Sequence, residues 1–91
     1  MFTLVWTPAF TRSAGTFVQR HPEQRERLFT ILRDLESNPF QPRLRHHPLG
    51  GRLKGFQAVS VTYEFRIILR IEVTDQEIIL LDIGSHDEVY R

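Results

Sequence analysis

The chain has 91 residues and a mass of 10.8 kDa, which suits one domain with a small core. A composition of 41% hydrophobic and 25% charged residues excludes global disorder, and the lack of cysteine excludes disulfides, thiolate metal sites and a cysteine nucleophile. The apolar runs are too short for a membrane span or a signal peptide, which predicts a cytoplasmic protein with no membrane partner. The net charge of +1 conceals an asymmetry, because residues 43–70 are strongly basic and residues 71–91 strongly acidic.

The first part of the chain predicts one strand followed by two helices. Apolar residues alternate from Phe2 to Trp6, which is the period of a strand. Thr7 and Pro8 suit the N-cap and first turn of a helix. A second amphipathic helix begins after Pro22, with apolar residues at i, i+3, i+4 and i+7: Leu28, Ile31, Leu32 and Leu35. The short connection between the two predicts an antiparallel helical hairpin.

Residues 39–51 then predict a long loop rich in proline, glycine and cations. It contains Arg43, Arg45, His46 and His47. At about 13 residues it is long for a mere connection, and loops on a rigid scaffold often carry function.

The remainder predicts four strands, over residues 52–54, 57–62, 65–73 and 77–84. The order β-α-α-β-β-β-β and the short turns predict an α+β fold in which residues 1–91 form a single domain. A two-helix hairpin would pack on one face of a mainly antiparallel twisted sheet, with no second core. Alternation leaves the other face open and places on it Arg52, Lys54, Ala58, Ser60, Thr62, Arg66 and Arg70.

Four cations on that face and the histidines are the candidates for chemistry. The cations repel one another, which favours a phosphate-binding groove, although acidic residues such as Glu72 or Asp82 would also balance a solvated face. Histidine suits acid–base catalysis, yet His86 could equally be a structural residue. The histidines lack the spacing of a metal site, so no metal is predicted.

Three segments together resemble the RelE/ParE superfamily of bacterial and archaeal type II toxins, in particular its histidine-bearing RelE/YafQ-like branch. They are Pro48-Leu49-Gly50-Gly51-Arg52-Leu53-Lys54-Gly55-Phe56, residues 61–68 with Tyr63-Glu64-Phe65-Arg66, and residues 83–90 with Gly84-Ser85-His86 and Val89-Tyr90. The order of elements matches as well. The resemblance implies a RelE-like fold and a cytoplasmic toxin neutralised by an acidic antitoxin. It also implies mRNA cleavage in the 30S ribosomal A site without metal or cofactor.

The resemblance further implies a role for each candidate residue when the ribose 2′-OH attacks the adjacent phosphate. His86 is the first choice as acid or base, His47 is the loop histidine with His46 as its substitute, and Glu64 is a base or an orienting carboxylate. Arg66 and Lys54 are the cations that stabilise the crowded phosphate. The predicted RNA-binding residues are Arg43, Arg45, His46, Arg52, Arg70 and Tyr90.

Two other functions stay open at this point. ParE-like toxins share the fold but poison DNA gyrase, and a degenerate toxin would persist as an antitoxin-binding module. Ser60 stands where some members of the branch carry another histidine, and the net charge is modest for a ribosome-binding toxin. An acidic antitoxin segment is expected to cover the sheet face or the helical hairpin.

Overall fold

Five strands form one sheet in the spatial order β1-β5-β4-β3-β2 in the computed structural model, which describes residues 1–90. Only β1 and β5 are parallel, and every other neighbouring pair is antiparallel. The predicted α+β fold is therefore confirmed. The strands and helices are β1 (Thr3–Trp6), α1 (Pro8–Arg20), α2 (Arg25–Ser37), β2 (His47–Pro48), β3 (Gln57–Ser60), β4 (Phe65–Glu72), β5 (Glu77–Ser85) and α3 (His86–Val89). Short 3₁₀ turns cover Pro22–Gln24, Pro42–Leu44 and Gly51–Leu53.

The junction between β1 and α1 is held by Thr7. Its hydroxyl accepts a hydrogen bond from the Phe10 amide at 3.1 Å and donates one to the Leu80 carbonyl at 2.7 Å. The predicted N-cap is confirmed, and the same side chain fastens the start of α1 to β5. None of the helices in residues 1–90 is both long enough and apolar enough to cross a membrane.

The main core lies between the two long helices and one face of the sheet. Both helices contribute their apolar stripe, and β3, β4 and β5 contribute alternate residues. Its buried members include Phe10, Phe17, Leu28, Ile31, Leu35, Leu44, Val59, Ile67, Leu69, Leu80 and Ile83. Each fully buried aliphatic or aromatic side chain contributes about 1.5–3 kcal/mol, so this face supplies most of the stabilisation.

An irregularity in the β4–β5 pairing decides which residues of β5 reach that core. Ile68 pairs with Asp82, but the next residue, Leu69, pairs with Leu80. Leu81 is the extra residue of this bulge, so the alternation changes phase. As a result Leu80 and Ile83, three positions apart, are both buried in the main core.

The opposite face is not open, which corrects the prediction of a sheet with no second core. Ala58, Ile68 and Val89 are buried there, and Leu49 and Tyr90 pack against them. The loop before β3 and the short helix α3 fold over this face. Alternation within the strands does not reveal these covering segments, because they lie outside the strands.

The predicted strand over residues 52–54 is also wrong. Gly51 and Gly55 have positive φ angles of 60° and 96°, which bend the chain into a 3₁₀ turn closed by the Lys54 amide on the Gly51 carbonyl. The strand that pairs with β3 is β2 instead. Arg52 and Lys54 therefore lie at a turn and not on a strand of the sheet.

Candidate functional site

A cleft of about 480 Å³ opens on the face of the sheet opposite α1 and α2, and we call it the histidine cleft. The end of β2, the loop that follows it, the start of β4 and α3 supply its walls. It brings together five of the predicted site residues and three neighbours: His47, Arg52, Arg66, His86 and Tyr90 with Leu49, Gly50 and Leu53.

The backbone of α3 fixes the position of His86. Ser85 and Glu88 form a capping box, in which the Ser85 hydroxyl accepts from the Glu88 amide at 3.3 Å and the Glu88 carboxylate accepts from the Ser85 amide at 2.9 Å. The His86 amide also donates to the Glu64 carbonyl at 3.2 Å. A Cβ on Gly84 would lie 3.1 Å from the Glu88 carboxylate, so a larger residue here would require the Glu88 side chain to shift.

Glu88 of the capping box also forms an ion pair with α1. The Glu88 carboxylate lies 3.6 Å from the guanidinium of Arg20, the last residue of α1. Since both side chains are largely exposed, this ion pair adds little stability by itself. It does connect α1, in the helical layer, with the helix that carries His86.

The His86 imidazole is mostly exposed and can exchange protons with a ligand. Its Nδ1 lies 3.6 Å from Asp87 Oδ1, and its ring meets the Tyr90 ring edge to face at 4.4 Å. The aromatic contact orients the imidazole at the rim of the cleft.

His47 presents a defined tautomer in its neutral form. Its Nδ1 lies 2.9 Å from the Arg45 carbonyl. A carbonyl oxygen can only accept, so Nδ1 carries the proton and donates. Nε2 of neutral His47 is therefore unprotonated, which is the state required of a general base.

Arg66 is fixed at the turn between β3 and β4. Its Nη1 donates to the carbonyls of Thr62 at 2.8 Å and Tyr63 at 2.7 Å, and more weakly to that of Phe65. The contacts found within residues 1–90 leave Nε and Nη2 as donors for a ligand. A guanidinium held in this way can bind phosphate with little further loss of conformational freedom.

Tyr90 closes one end of the histidine cleft. Its hydroxyl is buried and has no hydrogen-bond partner among residues 1–90. Burial raises the pKa of Tyr90, and the positive charge of Arg66 opposes that rise more weakly. The phenol is therefore neutral at physiological pH.

Glu64 lies beside the histidine cleft rather than in it. A second depression of about 550 Å³ is lined by Tyr63, Glu64, Arg66, Ser85, His86 and Asp87. Arg66 and His86 belong to both depressions, so the depression that contains Glu64 adjoins the histidine cleft.

Arg43 and Arg45 line a third depression, which lies beyond Arg66. With Arg27 and Arg66 they surround a groove of about 190 Å³ that also includes Thr62 and Tyr63. We call it the arginine groove. Arg66 is thus common to the histidine cleft, the Glu64 depression and the arginine groove.

Three predicted site residues lie elsewhere. Lys54 lines none of the depressions found within residues 1–90. Arg70 is paired with Glu72 at 2.7 Å near the other end of β4. His46 packs edge to face on Phe40 at 5.3 Å, and burial, reinforced by the charge of His47, lowers the pKa of His46.

Sequence reasoning missed several residues of this surface. The capping box could have been found, because Ser85-His86-Asp87-Glu88 has its serine and glutamate at the required spacing. Arg27 had no such signal, since the tertiary fold alone brings α2 to the β3–β4 turn. No group of three or more potential metal ligands comes together in the part of the chain that the structure describes.

Solved structures of bacterial toxins share this fold. A YoeB/ParE toxin from Agrobacterium tumefaciens superposes with a TM-score of 0.77 at 21% identity, over 93% of this chain and 99% of that one. YafQ from E. coli strain BL21(DE3) gives a TM-score of 0.74 at 17% identity, over 100% of both chains. The E. coli DinJ-YafQ complex gives 0.72 at 18% identity, again over 100% of both. The fold is thus that of the RelE/ParE superfamily, as the sequence resemblance implies.

The family follows from a direct sequence match. Residues 2–91 match the model of the family described as YafQ, a bacterial toxin of a type II toxin-antitoxin system. The chain belongs to this YafQ toxin family. A search of curated protein sequences finds no match.

Proposed function

We propose that this toxin is a metal-independent endoribonuclease that cleaves mRNA in the ribosomal A site. One observation carries the proposal: two histidines, a fixed arginine and a neutral tyrosine line a single cleft. These are the groups that phosphodiester cleavage by an internal 2′-OH requires, namely a base, an acid and a cation on the phosphate.

In the proposed reaction His47 accepts the proton of the ribose 2′-OH on Nε2. The 2′-oxygen then forms a bond to phosphorus while the bond from phosphorus to the 5′-oxygen breaks. Protonated His86 gives its proton to that leaving oxygen, so the products are a 2′,3′-cyclic phosphate and a 5′-OH. The assignment rests on the tautomer of His47 and on the exposed position of His86.

Arg66 stabilises the extra negative charge that develops on the phosphate oxygens. Its position is set before substrate binds by the carbonyls of the β3–β4 turn. A preorganised donor of this kind acts without reorganisation during the reaction. We assign Glu64 the lesser task of orienting His86 from the adjoining depression.

The rest of the histidine cleft suits one nucleotide. Tyr90 offers an aromatic ring, while Leu49 and Leu53 supply apolar walls. Arg52 adds a cation at the rim. Lys54 and Arg70 have no part in this arrangement, because the structure places neither in the cleft.

We also infer a cognate antitoxin and a cytoplasmic site of action on the 30S subunit. E. coli YafQ, which has the same fold, is found in a complex with DinJ. A cleft with Arg52, Arg66 and two histidines suits an acidic protein segment as well as RNA.

The test is cleavage of a reporter mRNA in a purified translation system, with and without ribosomes. His86→Gln and Arg66→Gln should each reduce the rate at least about a hundredfold, since each removes a group that acts in the transition state. Arg70→Gln is the matched control, because that arginine is paired outside the cleft. Rates within threefold of wild type for both cleft variants, with folding preserved, would contradict the assignment.

Pulse labelling after induction separates the alternatives. An mRNA endonuclease stops incorporation of amino acids first, whereas a gyrase poison stops DNA synthesis and induces a DNA-damage response. A toxin that blocks neither would be the degenerate antitoxin-binding module.

A further inference from the structure

The arginine groove differs from an ordinary basic surface in its composition. Four guanidinium groups, from Arg27, Arg43, Arg45 and Arg66, line a depression of only about 190 Å³. Of the residues within 1–90 that line it, none carries a carboxylate. Like charges gathered this closely repel one another, and a bound anion relieves the repulsion.

Most of these positive charges have no acidic partner within residues 1–90. Arg27 donates through Nε to the Val61 carbonyl at 2.9 Å, and Arg66 donates to carbonyls of the neighbouring turn. Carbonyls orient a guanidinium without neutralising it. Arg43 is the exception, because its Nη2 lies 2.7 Å from Asp34.

Arg45 reaches the groove at the cost of an unusual backbone conformation. Its φ of 53° and ψ of 41° are left-handed values, which glycine and asparagine adopt far more readily than arginine. The preceding residue, Leu44, is fully buried and fixes the local chain. A large cation therefore stands where a smaller residue would fold more easily, which suggests a functional requirement.

Tyr63 adds an aromatic platform beside these cations. It lines the groove, and 92% of its surface is exposed although it is a large hydrophobic residue. An exposed ring next to guanidinium groups is the combination that binds single-stranded nucleic acid, in which bases stack while phosphates meet arginine.

We propose that the arginine groove binds the phosphates of the RNA strand that flank the cleavage site, with Tyr63 stacked on one of its bases. The identity of the strand rests on the proposed function. Arg66 lines both the histidine cleft and the arginine groove, so one strand can pass from the reacting phosphate to its neighbours without leaving a basic surface.

The test measures binding apart from cleavage. The probe is a fluorescent 2′-O-methyl oligonucleotide of about ten nucleotides, which lacks the attacking hydroxyl, with anisotropy recorded from roughly 50 to 300 mM salt. Losing one phosphate contact on a single strand should reduce the slope of log K against log salt by about 0.7, or about fivefold in affinity at 0.1 M salt. We expect this for Arg45→Asn and for Arg27→Gln.

Two further variants give different signatures. Tyr63→Ala should weaken binding about fivefold or more with an unchanged salt slope, because stacking involves no counterion release. Arg43→Gln should have a smaller effect than Arg45→Asn, since Asp34 already neutralises Arg43. Arg33→Gln is the control, because Arg33 lines none of the depressions found within residues 1–90 and donates a hydrogen bond to Thr30.

Stability supplies an independent check on Arg45. Asparagine tolerates the left-handed conformation, so Arg45→Asn should melt at the same temperature as wild type or higher while it binds RNA less well. A loss of RNA affinity that merely followed unfolding would contradict the proposal.

Three outcomes would overturn it. The first is that Arg45→Asn and Arg27→Gln bind RNA with the affinity and salt slope of the Arg33→Gln control. The second is that the wild-type chain fails to bind the oligonucleotide at the lowest salt. The third is that a polyglutamate peptide of equal charge binds as tightly as RNA and is equally weakened by Arg45→Asn, which would make the groove a site for an acidic protein segment.

The result is also separable from that of the catalytic proposal. If the groove variants lose affinity while His86→Gln still cleaves, the groove stands and the assigned mechanism fails. If His86→Gln abolishes cleavage while the groove variants bind normally, the assigned mechanism stands and the groove proposal fails.

Discussion

The two faces of the sheet are covered in different ways. Toward α1 and α2, β4 contributes Ile67 and Leu69, both fully buried in the main core. On the other face Ile68 belongs to a small cluster whose buried members also include Ala58 and Val89. One strand thus supports the main core on one side and the histidine cleft on the other. Because short segments cover the cleft side, it has less buried apolar area and should open locally at lower free energy.

A second contrast runs along the cleft side itself. Arg66 and Arg70 are four residues apart on β4, and alternation alone assigns them the same environment. Arg66 is held by the carbonyls of the β3–β4 turn and borders three depressions, whereas Arg70 pairs with Glu72. Shared orientation on a strand therefore does not imply shared function, because turns and neighbouring side chains decide what each residue contacts.

The largest expected effect is on the free energy of unfolding, and it differs between two adjacent isoleucines. Ile67→Ala should destabilise the protein by about 4 kcal/mol and Ile68→Ala by about 2 kcal/mol, since Ile67 lies in the larger core. Urea denaturation measures both. Ile68→Ala should lose less stability than Ile67→Ala but more RNA cleavage, measured at temperatures where both variants are folded. The reason is that Ile68 packs in the cluster that supports α3. Equal destabilisation, or cleavage lost only in Ile67→Ala, would contradict this division between the faces.

An intermediate effect is expected at the cap of α3. Ser85→Ala removes the acceptor for the Glu88 amide, which costs about 1 kcal/mol of local stability. His86 is the first residue of α3, so kcat for cleavage should fall more than KM changes. Ser85→Thr keeps the hydroxyl and should restore kcat. If Ser85→Thr were as impaired as Ser85→Ala, the cap would not be what positions His86.

The smallest effect concerns pH and the half-buried loop histidine His46. Burial lowers the pKa of His46 in the folded chain, so below about pH 6.5 the unfolded chain takes up a proton first. Stability should therefore be complete at neutral pH and decline as the pH falls from about 6.5 toward the lowered folded pKa. The measurement is urea denaturation of wild type and His46→Gln at several pH values. A stability difference between them that does not vary with pH would show that His46 does not titrate on unfolding.

Regular periodicity accounts for the parts of the fold that were predicted from sequence. The Thr7-Pro8 start of α1, the apolar stripe from Leu28 to Leu35 and the alternation along residues 65–73 all correspond to observed elements. The failures lie in irregular segments. Positive φ angles at Gly51 and Gly55 turn the predicted strand over residues 52–54 into a 3₁₀ turn, and no periodicity marks a helix as short as α3.

The candidate site was less predictable from physical patterns alone. His47, Arg66 and His86 come from three distant segments, and only the family resemblance grouped them in advance. Alternation and charge also included Arg70, which the structure pairs with its neighbour Glu72 outside the histidine cleft. Lys54 lines none of the depressions found within residues 1–90, and its role on the phosphate stays a prediction of the resemblance.

The position of β5 has a consequence for the order in which the protein folds. It is the last strand along the chain, yet it lies between β1 and β4 in the sheet. Thr3 is paired with Glu77, so β1 has no sheet partner until the β5 segment has been synthesised. Closing a loop of this length is entropically costly, and domains with many such distant pairings fold slowly. During translation β1 therefore joins the sheet late, and the histidine cleft, which needs α3 beyond β5, cannot be complete before β5 has been synthesised.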